Sequence, residues 1–314
     1  MKREIIIGTR DSKLALWQAH WVKGALERIA PDHSYAIRPI KTTGDKRLET
    51  PLSQIGDKGL FTKELEEALL KGLIHMAVHS MKDLPTRLPE GLALAAVCAR
   101  EKPNDVLVSR QGQRFADLPS GAVIGTGSLR RRAQITYLRP DLQTADLRGN
   151  LNTRLEKLDK GLYDAIILAW AGMKRLGQSA SITEIIPPDM CMPAVGQGAL
   201  GIEIVADDEL AQDLAGKLNH PETRCAVEAE RAFLRRLEGG CRAPLGALGA
   251  VSAGRLTLEG VVAALDGRIL LRASLSGAVD DPAATGELLA ERMLGMGAGE
   301  LLDECRREYN EYDG

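Results

Sequence analysis

Cys241 is the residue whose neighbours most clearly point to covalent chemistry. It follows two glycines in the stretch Leu-Glu-Gly-Gly-Cys-Arg-Ala-Pro, residues 237–244. A free cysteine is usually a small buried hydrophobe, but glycine and proline neighbours do not fit a helix or a central strand. The sequence therefore predicts an accessible thiol at the tip of a turn. A helix that simply ends at the glycines explains the local pattern equally well.

A second chemical pattern is basic. Residues 125–132 read Gly-Thr-Gly-Ser-Leu-Arg-Arg-Arg, where a predicted strand enters a glycine turn and a helix begins. Free N–H groups at a helix start, the Ser128 hydroxyl and forked guanidinium groups suit an anion. An isolated arginine run is more often a solvated helix face. A cleft for a small polyanion, carrying either phosphates or several carboxylates, is favoured by further arginines near predicted strand ends or helix starts: Arg10, Arg148, Arg154 and Arg175.

An acidic residue stands among these cations. Asp83 follows a predicted buried strand over residues 74–79 and comes directly after Lys82. A carboxylate at that place is suited to stabilise a developing positive charge or to transfer a proton. On the residues alone, a turn aspartate that makes only local hydrogen bonds is the favoured interpretation.

The composition argues against several other kinds of site. With 41 basic and 43 acidic side chains the net charge is -2, unlike that of a general nucleic-acid or membrane binder. Five widely spread cysteines without a Cys-x-x-Cys pair indicate free thiols in a reducing cytosol. His75 and His79 have the spacing of a metal pair, but they lie in a predicted buried strand with no third ligand nearby. We therefore expect a structural role for them and no metal.

Other familiar signals are incomplete. Residues 196–201 match G-x-G-x-x-G, but no good strand precedes them and a predicted strand follows, which excludes a dinucleotide fingerprint. The N-terminus lacks the apolar core of a signal peptide, and no apolar run approaches ~18 residues. We expect neither secretion nor a membrane span.

Strands and helices alternate along the first two thirds of the chain, which predicts two mainly parallel, doubly wound α/β domains with ligands beyond the carboxyl ends of the strands. A charged break at 101–105 is a candidate hinge, and residues 42–58 form a predicted loop without periodicity, typical of a lid. The predicted strands cover residues 4–8, 35–41, 74–79, 92–98, 106–109, 122–125, 142–146 and 164–168.

From Pro221 the pattern becomes that of a small α+β domain. A helix over 222–237 precedes the cysteine turn, and helices over 288–296 and 301–309 end the chain. Between them, antiparallel strands are predicted at 248–251, 256–263 and 269–275, the last two joined by a hairpin.

Four segments together resemble the porphobilinogen deaminase (hydroxymethylbilane synthase) family. Residues 79–85 resemble its aspartate segment, 125–131 its substrate-binding loop, 147–155 a further arginine segment and 237–241 its cofactor-attachment turn. They occur in the family's order, and the similarity covers nearly the whole chain. Gly127 is a departure, since serine is common there, but Ser128 and the arginines are in place.

The resemblance implies a transferase of tetrapyrrole (porphyrin, haem) biosynthesis that joins four porphobilinogen molecules head to tail into hydroxymethylbilane and releases ammonia at each addition. It implies a dipyrromethane cofactor bound through a thioether to Cys241, with Asp83 as the catalytic residue. Further cofactor contacts are then expected from Lys58, Lys82, Asp83, Ser128, Arg130 and Arg131. Substrate contacts are expected from Arg10, Ser12, Thr126, Arg148, Arg154, Arg175 and Gln197.

The resemblance also implies a fold: two periplasmic-binding-protein-like α/β domains and a C-terminal α+β domain with an antiparallel three-stranded sheet. The expected domains are 1–98 with 199–216, 104–192, and 221–314, because the family's first domain takes back a segment after the second. A cytoplasmic monomer is expected, whose partners are porphobilinogen and the growing polypyrrole, with no nucleic acid and no membrane.

Two other functions fit parts of the sequence. A hinged binding protein for a dicarboxylate explains the two α/β halves, but gives no reason for Cys241 or the third domain. A nucleic-acid binder would use the arginines at 130–132, and the net charge argues against it.

Overall fold

The computed structural model describes residues 3–46, 61–237 and 243–311, so Lys58 and Cys241 lie outside the described residues. The chain begins with an α/β domain. In chain order its first described elements are β1 (Glu4–Arg10), α1 (Lys13–Ile29), β2 (Ser34–Ile40), α2 (Thr43–Lys46), α3 (Lys63–Leu70), β3 (Met76–Ser80) and β4 (Leu92–Val97).

A second α/β unit follows, and the chain then returns to the first sheet. The elements of the second unit are β5 (Asp105–Ser109), β6 (Val123–Gly125), α4 (Leu129–Leu138), β7 (Gln143–Ala145), α5 (Leu151–Asp159), β8 (Ala165–Ala169), α6 (Trp170–Arg175) and β9 (Glu184–Ile186). The returning segment forms β10 (Leu200–Val205) and α7 (Glu209–Gly216).

Side-chain caps begin the helices that border the site. The Ser12 hydroxyl accepts a hydrogen bond from Ala15 N at 3.3 Å, and Asn150 Oδ1 accepts one from Thr153 N at 3.1 Å. Behind its cap, α1 buries one apolar stripe at helical spacing against the sheet, including Ala19, Val22 and Leu26. Each helix start is thereby fixed beside a strand end.

Strand direction in the first sheet brings the site residues to one edge. The order is β2-β1-β3-β10-β4; β1 runs parallel to β2 and β3, and β10 runs antiparallel to β3 and β4. Because β10 is reversed, its first residue, Leu200, pairs with Ser80 at the carboxyl end of β3. The connection that leads into β10 therefore crosses the edge at which Arg10 and Ser80 lie.

The second sheet repeats this arrangement in the order β7-β6-β8-β5-β9. Strand β6 runs parallel to β7 and β8, whereas β5 runs antiparallel to β8 and β9. Since β5 is reversed, Asp105 at its start pairs with Ala169 at the end of β8. An acid is thus placed at the carboxyl edge of the sheet, beside the start of α4.

The last part of the chain is an α+β domain whose sheet has the antiparallel order β11-β12-β13. Phe233 and Leu289 are fully buried between this sheet and its helices. The two sheets of mixed direction and this third sheet confirm the predicted fold class. The elements are α8 (Pro221–Arg236), β11 (Leu245–Ser252), β12 (Arg255–Ala263), β13 (Leu270–Ala278), α9 (Pro282–Gly295) and α10 (Ala298–Glu311).

Two of the predicted boundaries differ most from the structure. Helix α9 begins six residues before the predicted position 288, because Pro282 suits a first helical turn and the Asp281 carboxylate accepts a hydrogen bond from Ala284 N at 3.1 Å. The predicted loop over 42–58 opens with the short helix α2, whose first residue is held by Glu64 Oε1 at 2.7 Å from Thr43 N. Residues 47–60 lie outside the described residues.

Glu230 on α8 joins the third domain to both connections between the α/β units. It is fully buried and pairs with Arg100 in the first connection, with 3.2 Å between Arg100 Nη2 and Glu230 Oε2. Gly196 N in the second connection donates to Glu230 at 2.6 Å, and Gly249 N on β11 donates at 2.8 Å. One carboxylate therefore holds three parts of the chain. None of the described helices is long and apolar enough to cross a membrane.

Candidate active site

One wall of the candidate site is a cavity at the carboxyl ends of β1 and β3. Arg10 is the last residue of β1, Ser12 caps α1, and Asp83 ends a single 3-10 turn after β3. These side chains line a small cavity that is partly open to solvent. A hydrogen bond of 2.8 Å from Gln18 Nε2 to Ser80 Oγ fixes its wall. Asp83 is exposed, so its carboxylate can reach a bound molecule.

The Asp83 turn rests on the second connection. A Cβ atom on Gly196 would lie 2.7 Å from Met81 Cβ and 3.2 Å from Lys82 N. Gly196 also has a φ of +71°, which favours glycine. The G-x-G-x-x-G stretch therefore allows close packing beneath the Asp83 turn. It leads into β10, which confirms the strand predicted to follow it.

Lys82 is influenced by charges from both α/β units. Burial lowers the pKa of its ammonium group below the ordinary value, and Asp83 opposes this. The charges of Arg131 and Arg130 lower it further, whereas Asp105 raises it. The Lys82 segment on the first unit and the arginine helix on the second therefore face each other.

Asp105 gathers the two arginines at the start of α4. It is fully buried; its Oδ2 lies 2.8 Å from Arg130 Nη2 and its Oδ1 lies 2.7 Å from Arg131 Nη2. Gln197 Nε2 donates to the same Oδ1 at 2.9 Å. Burial opposes ionisation of Asp105, but the charges of Arg130 and Arg131 outweigh it and hold the pKa of this carboxyl below its usual value.

The sequence predicts ligand contacts for Arg130, Arg131 and Gln197, and the structure directs all three side chains toward Asp105. Arg130 is 4% exposed and Arg131 5%. Arg131 Nη1 also donates to Ile167 O at 2.8 Å. Within the described residues, Arg131 Nε and Gln197 Oε1 are buried without a hydrogen-bond partner. These two atoms keep hydrogen-bonding capacity that Asp105 does not use.

Two hydroxyl groups shape the loop before α4. Ser128 Oγ accepts from Arg131 N at 3.5 Å, and Thr126 Oγ1 accepts from Ser128 N at 3.2 Å. Thr126 is buried, whereas Ser128 is half-buried. Both predicted ligand-binding hydroxyls therefore lie at the helix start, where backbone N–H groups suit an anion.

Arg148 and Arg154 complete the basic wall. Arg154 Nε donates to Gly149 O at 2.8 Å. Burial lowers the pKa of Arg154 to about 10, and the charges of Arg131 and Arg148 add to this effect. Asp83 opposes it, which places Arg154 within electrostatic reach of the Asp83 carboxylate on the opposite wall.

Arg175 lies apart from the other predicted arginines. Its Nη2 donates to Gly198 O at 2.7 Å, and its guanidinium carbon lies 5.8 Å from the centre of the Trp17 ring. Burial lowers its pKa, with Glu101 and Cys98 as the opposing neighbours. The side chain thus bridges α1, α6 and the second connection. Arg10 instead stacks on Phe61, at 4.1 Å from the ring centre.

A buried acidic pair lies behind the cavity. His79 Nε2 is 2.9 Å from Glu203 Oε2, and the other oxygen of Glu203 is buried without a partner among the described residues, as is Glu66 Oε1. Burial raises the pKa of Glu66, and the charge of Glu203 raises it further. His75 Nδ1 accepts from Ile6 N at 3.0 Å, so the two histidines serve separate contacts.

Glu66→Gln is expected to stabilise the protein increasingly as pH rises. A carboxyl whose folded pKa exceeds its unfolded value of 4.5 costs folding free energy above that pH, about 1.4 kcal/mol for each pH unit up to the folded pKa. Glutamine carries no such cost. Melting temperatures of both proteins between pH 4.5 and 8 measure this difference. Glu67→Gln, on the exposed face of the same helix, is the control; a pH-independent difference for Glu66→Gln would contradict the assignment.

Sequence reasoning missed two acids of this site. Asp105 lies in the predicted hinge, and Asp146 lies directly before the predicted arginine segment. Both stand next to a strand boundary, which is the one signal the sequence offers. Whether such an acid faces the arginines depends on strand direction, and periodicity does not encode direction.

The described residues thus define a two-lobed α/β protein with an arginine-rich wall opposite one exposed carboxylate, and a third domain that contacts both connections between the lobes. The family model described as "Porphobilinogen deaminase, dipyromethane cofactor binding domain" matches residues 5–213, and "Porphobilinogen deaminase, C-terminal domain" matches residues 224–295. The chain belongs to the porphobilinogen deaminase family, which confirms the resemblance found in the sequence.

Curated relatives match the chain along nearly its whole length. The porphobilinogen deaminase of Pelotomaculum thermopropionicum is 57% identical over 308 residues, 98% of this chain and 99% of that protein. That of Desulforudis audaxviator is 58% identical over 306 residues, 98% and 99% of the two chains. Porphobilinogen deaminase is hydroxymethylbilane synthase, a transferase of tetrapyrrole biosynthesis. Among solved structures, the substrate binding domain of a putative molybdenum ABC transporter from Clostridium difficile has a TM-score of 0.42 at 9% identity, covering 70% of this chain and 93% of that one.

The residues present fit the dipyrromethane group that the family carries. That group bears several carboxylates, and the cleft supplies an excess of cations around one buried acid, together with the unpartnered Arg131 Nε. The described residues on both sides of Cys241 are fixed: Leu237 is buried, and Pro244 O accepts from Ala263 N at 3.0 Å. Residues 238–242, with Cys241, lie outside the described residues.

Proposed function

We propose that this chain condenses four porphobilinogen molecules head to tail into hydroxymethylbilane, with release of ammonia, on a dipyrromethane primer attached to Cys241. The observation that carries the proposal is the exposed Asp83 carboxylate facing the basic wall formed by Arg131, Arg148 and Arg154. A substrate with an acetate and a propionate needs cations for its carboxylates. Its pyrrole nitrogen, which becomes positive as ammonia leaves, needs an anion.

The arginines bind and orient. Arg148 keeps its forked Nη groups for a carboxylate, and Arg154 holds the loop at Gly149 while adding positive charge. Arg131 Nε and the N–H groups at the start of α4 add donors on the same side. Arg130 is paired with Asp105, so it also stabilises the wall, and its net charge adds to the attraction for the primer.

Asp83 is the residue that we assign to the chemistry at the reacting ring. Its carboxylate stabilises positive charge at a pyrrole nitrogen and accepts the proton that leaves when two rings are joined. The proton and the ammonia together leave as ammonium, so the charges balance. Lys82 next to it has a lowered pKa because of burial, which favours proton exchange with its neighbourhood.

The primer would supply the first pyrrole nucleophile. We assign six side chains to holding it: Cys241, Lys58, Lys82, Ser128, Arg130 and Arg131. We assign seven others to the substrate: Arg10, Ser12, Thr126, Arg148, Arg154, Arg175 and Gln197.

The same proposal includes a monomeric, cytoplasmic protein without a nucleic-acid partner. Its domains are 1–98 with 199–216, 104–192 and 221–314. Support for the first domain comes from β10 and α7, which lie on the first sheet.

Intact mass spectrometry tests the proposal. Freshly purified protein is expected to carry an added mass of two linked pyrroles, and Cys241→Ser is expected to lack it and to form no hydroxymethylbilane. Cys305→Ser is the matched control, because Cys305 is buried in the third domain and burial raises the pKa of its thiol to about 11. An active wild-type protein with an unmodified Cys241 would remove the covalent primer from the proposal.

A further inference from the structure

Asp146 lies between the two loops that carry the predicted binding residues. Its Oδ2 accepts from Arg148 Nε at 2.8 Å, and its backbone carbonyl accepts from the Tyr163 hydroxyl at 2.6 Å. A Cβ atom on Gly127 would lie only 3.1 Å from Asp146 Oδ1 and 3.0 Å from Leu147 O. The Asp146 carboxylate therefore occupies the space that a side chain at position 127 would need.

The contact with Asp146 uses only one edge of the Arg148 guanidinium. Within the described residues, Arg148 Nη1 and Nη2 have no hydrogen-bond partner, and the side chain is 22% exposed. A guanidinium held at Nε presents its two Nη groups in a fixed plane, which is the geometry that pairs with a carboxylate through two parallel hydrogen bonds.

We propose that Asp146 is a positioning residue that holds Arg148 by its Nε edge and so presents the Nη fork to a substrate carboxylate. Gly127 is the matching element, since its missing side chain lets the Asp146 carboxylate lie over the loop. This inference rests on the proposed function for the identity of the substrate. It concerns the affinity of that site and not the chemical step.

The exposure of the pair separates this role from a purely structural one. Side-chain exposures of 22% for Arg148 and 56% for Asp146 describe a surface ion pair, and such pairs contribute little to folding stability. Its loss should therefore leave the fold intact. It should instead free the guanidinium to rotate, so that ordering it again costs affinity each time a carboxylate binds.

Asp146→Ala in the holoenzyme is expected to raise KM for porphobilinogen about tenfold, near the loss of one charge-assisted hydrogen bond, with kcat within about twofold of wild type. Asp146→Asn should restore most of the affinity, because its amide oxygen can still accept from Arg148 Nε. The matched control is Asp141→Ala, which removes an aspartate paired with Arg139 Nη2 at 2.7 Å on the same unit but away from the cleft.

A binding measurement makes the test independent of turnover. Calorimetry with a pyrrole that carries acetate and propionate groups but no aminomethyl group should show the same loss of affinity in Asp146→Ala. In the Arg148→Ala background, Asp146→Ala should have no further effect. Equal dissociation constants for wild type and Asp146→Ala, or an undiminished effect without Arg148, would overturn the inference. If the wild type binds this pyrrole but releases no ammonia from porphobilinogen, the proposed function is wrong, whereas the positioning role of Asp146 still holds.

Discussion

Asp83→Asn is expected to fold, to carry the cofactor mass and to lose turnover by about 10²–10⁴-fold, the usual contribution of a positioned acid or base. Asp83 is exposed at the cavity. The turn that contains it is closed by a backbone hydrogen bond of 3.3 Å from Leu84 N to Met81 O, so the carboxylate is not needed to hold the turn. The amide keeps the size of the side chain but can neither balance a positive pyrrole nitrogen nor accept its proton.

Initial rates of ammonia release and product formation measure this effect, with thermal melting as the folding check. Asp32→Asn is the control, because Asp32 is an exposed aspartate between α1 and β2, at the opposite edge of the same sheet. A loss of activity below about tenfold, with the fold intact, would assign the proton transfer to another group.

Local features of the fold were predictable because they depend on neighbouring residues. Helix α4 begins directly after Ser128, where the sequence predicts a helix start, and the alternating strands and helices fall close to the predicted ranges. Both signals act within a few residues. The late predicted start of α9 shows the limit, because apolar periodicity marks its buried face from Leu289 onward, whereas Asp281 and Pro282 begin it about two turns earlier.

Direction and tertiary partners were not predictable. The predicted strand over 106–109 exists, but its reversal relative to β8 decides that Asp105 lies beside Arg130 and Arg131 rather than at the far edge. From the sequence, an arginine run is either a ligand-binding surface or a solvated helix face. In the structure, the guanidinium groups of Arg130 and Arg131 are buried against Asp105 on β5. The prediction of a positively charged wall therefore agrees with the structure, but the prediction that these guanidinium groups point freely toward a ligand does not.

The same network carries the largest expected effect on stability. Asp105→Asn should destabilise the protein by about 3–5 kcal/mol, because it leaves two buried arginine charges without their counter-charge. The asparagine oxygen can replace one acceptor, but not the second carboxylate oxygen that Arg130 uses. The loss should appear as a lower melting temperature and a lower urea midpoint.

The pH dependence of this loss has a definite sign. The pKa of Asp105 is lower in the folded protein than its ordinary value of 3.8, so its contribution is fully present above that pH and is lost only as pH falls further. The difference in the free energy of unfolding between wild type and Asp105→Asn should therefore be constant from pH 5 to 8. Asp141→Asn, at a partly exposed pair with Arg139, should cost much less stability, because solvent screens that pair. Adding Arg130→Met to Asp105→Asn should recover part of the stability, since it removes one of the two uncompensated charges. A wild-type melting temperature for Asp105→Asn would show that buried water or ligand groups, rather than Asp105, neutralise these arginines.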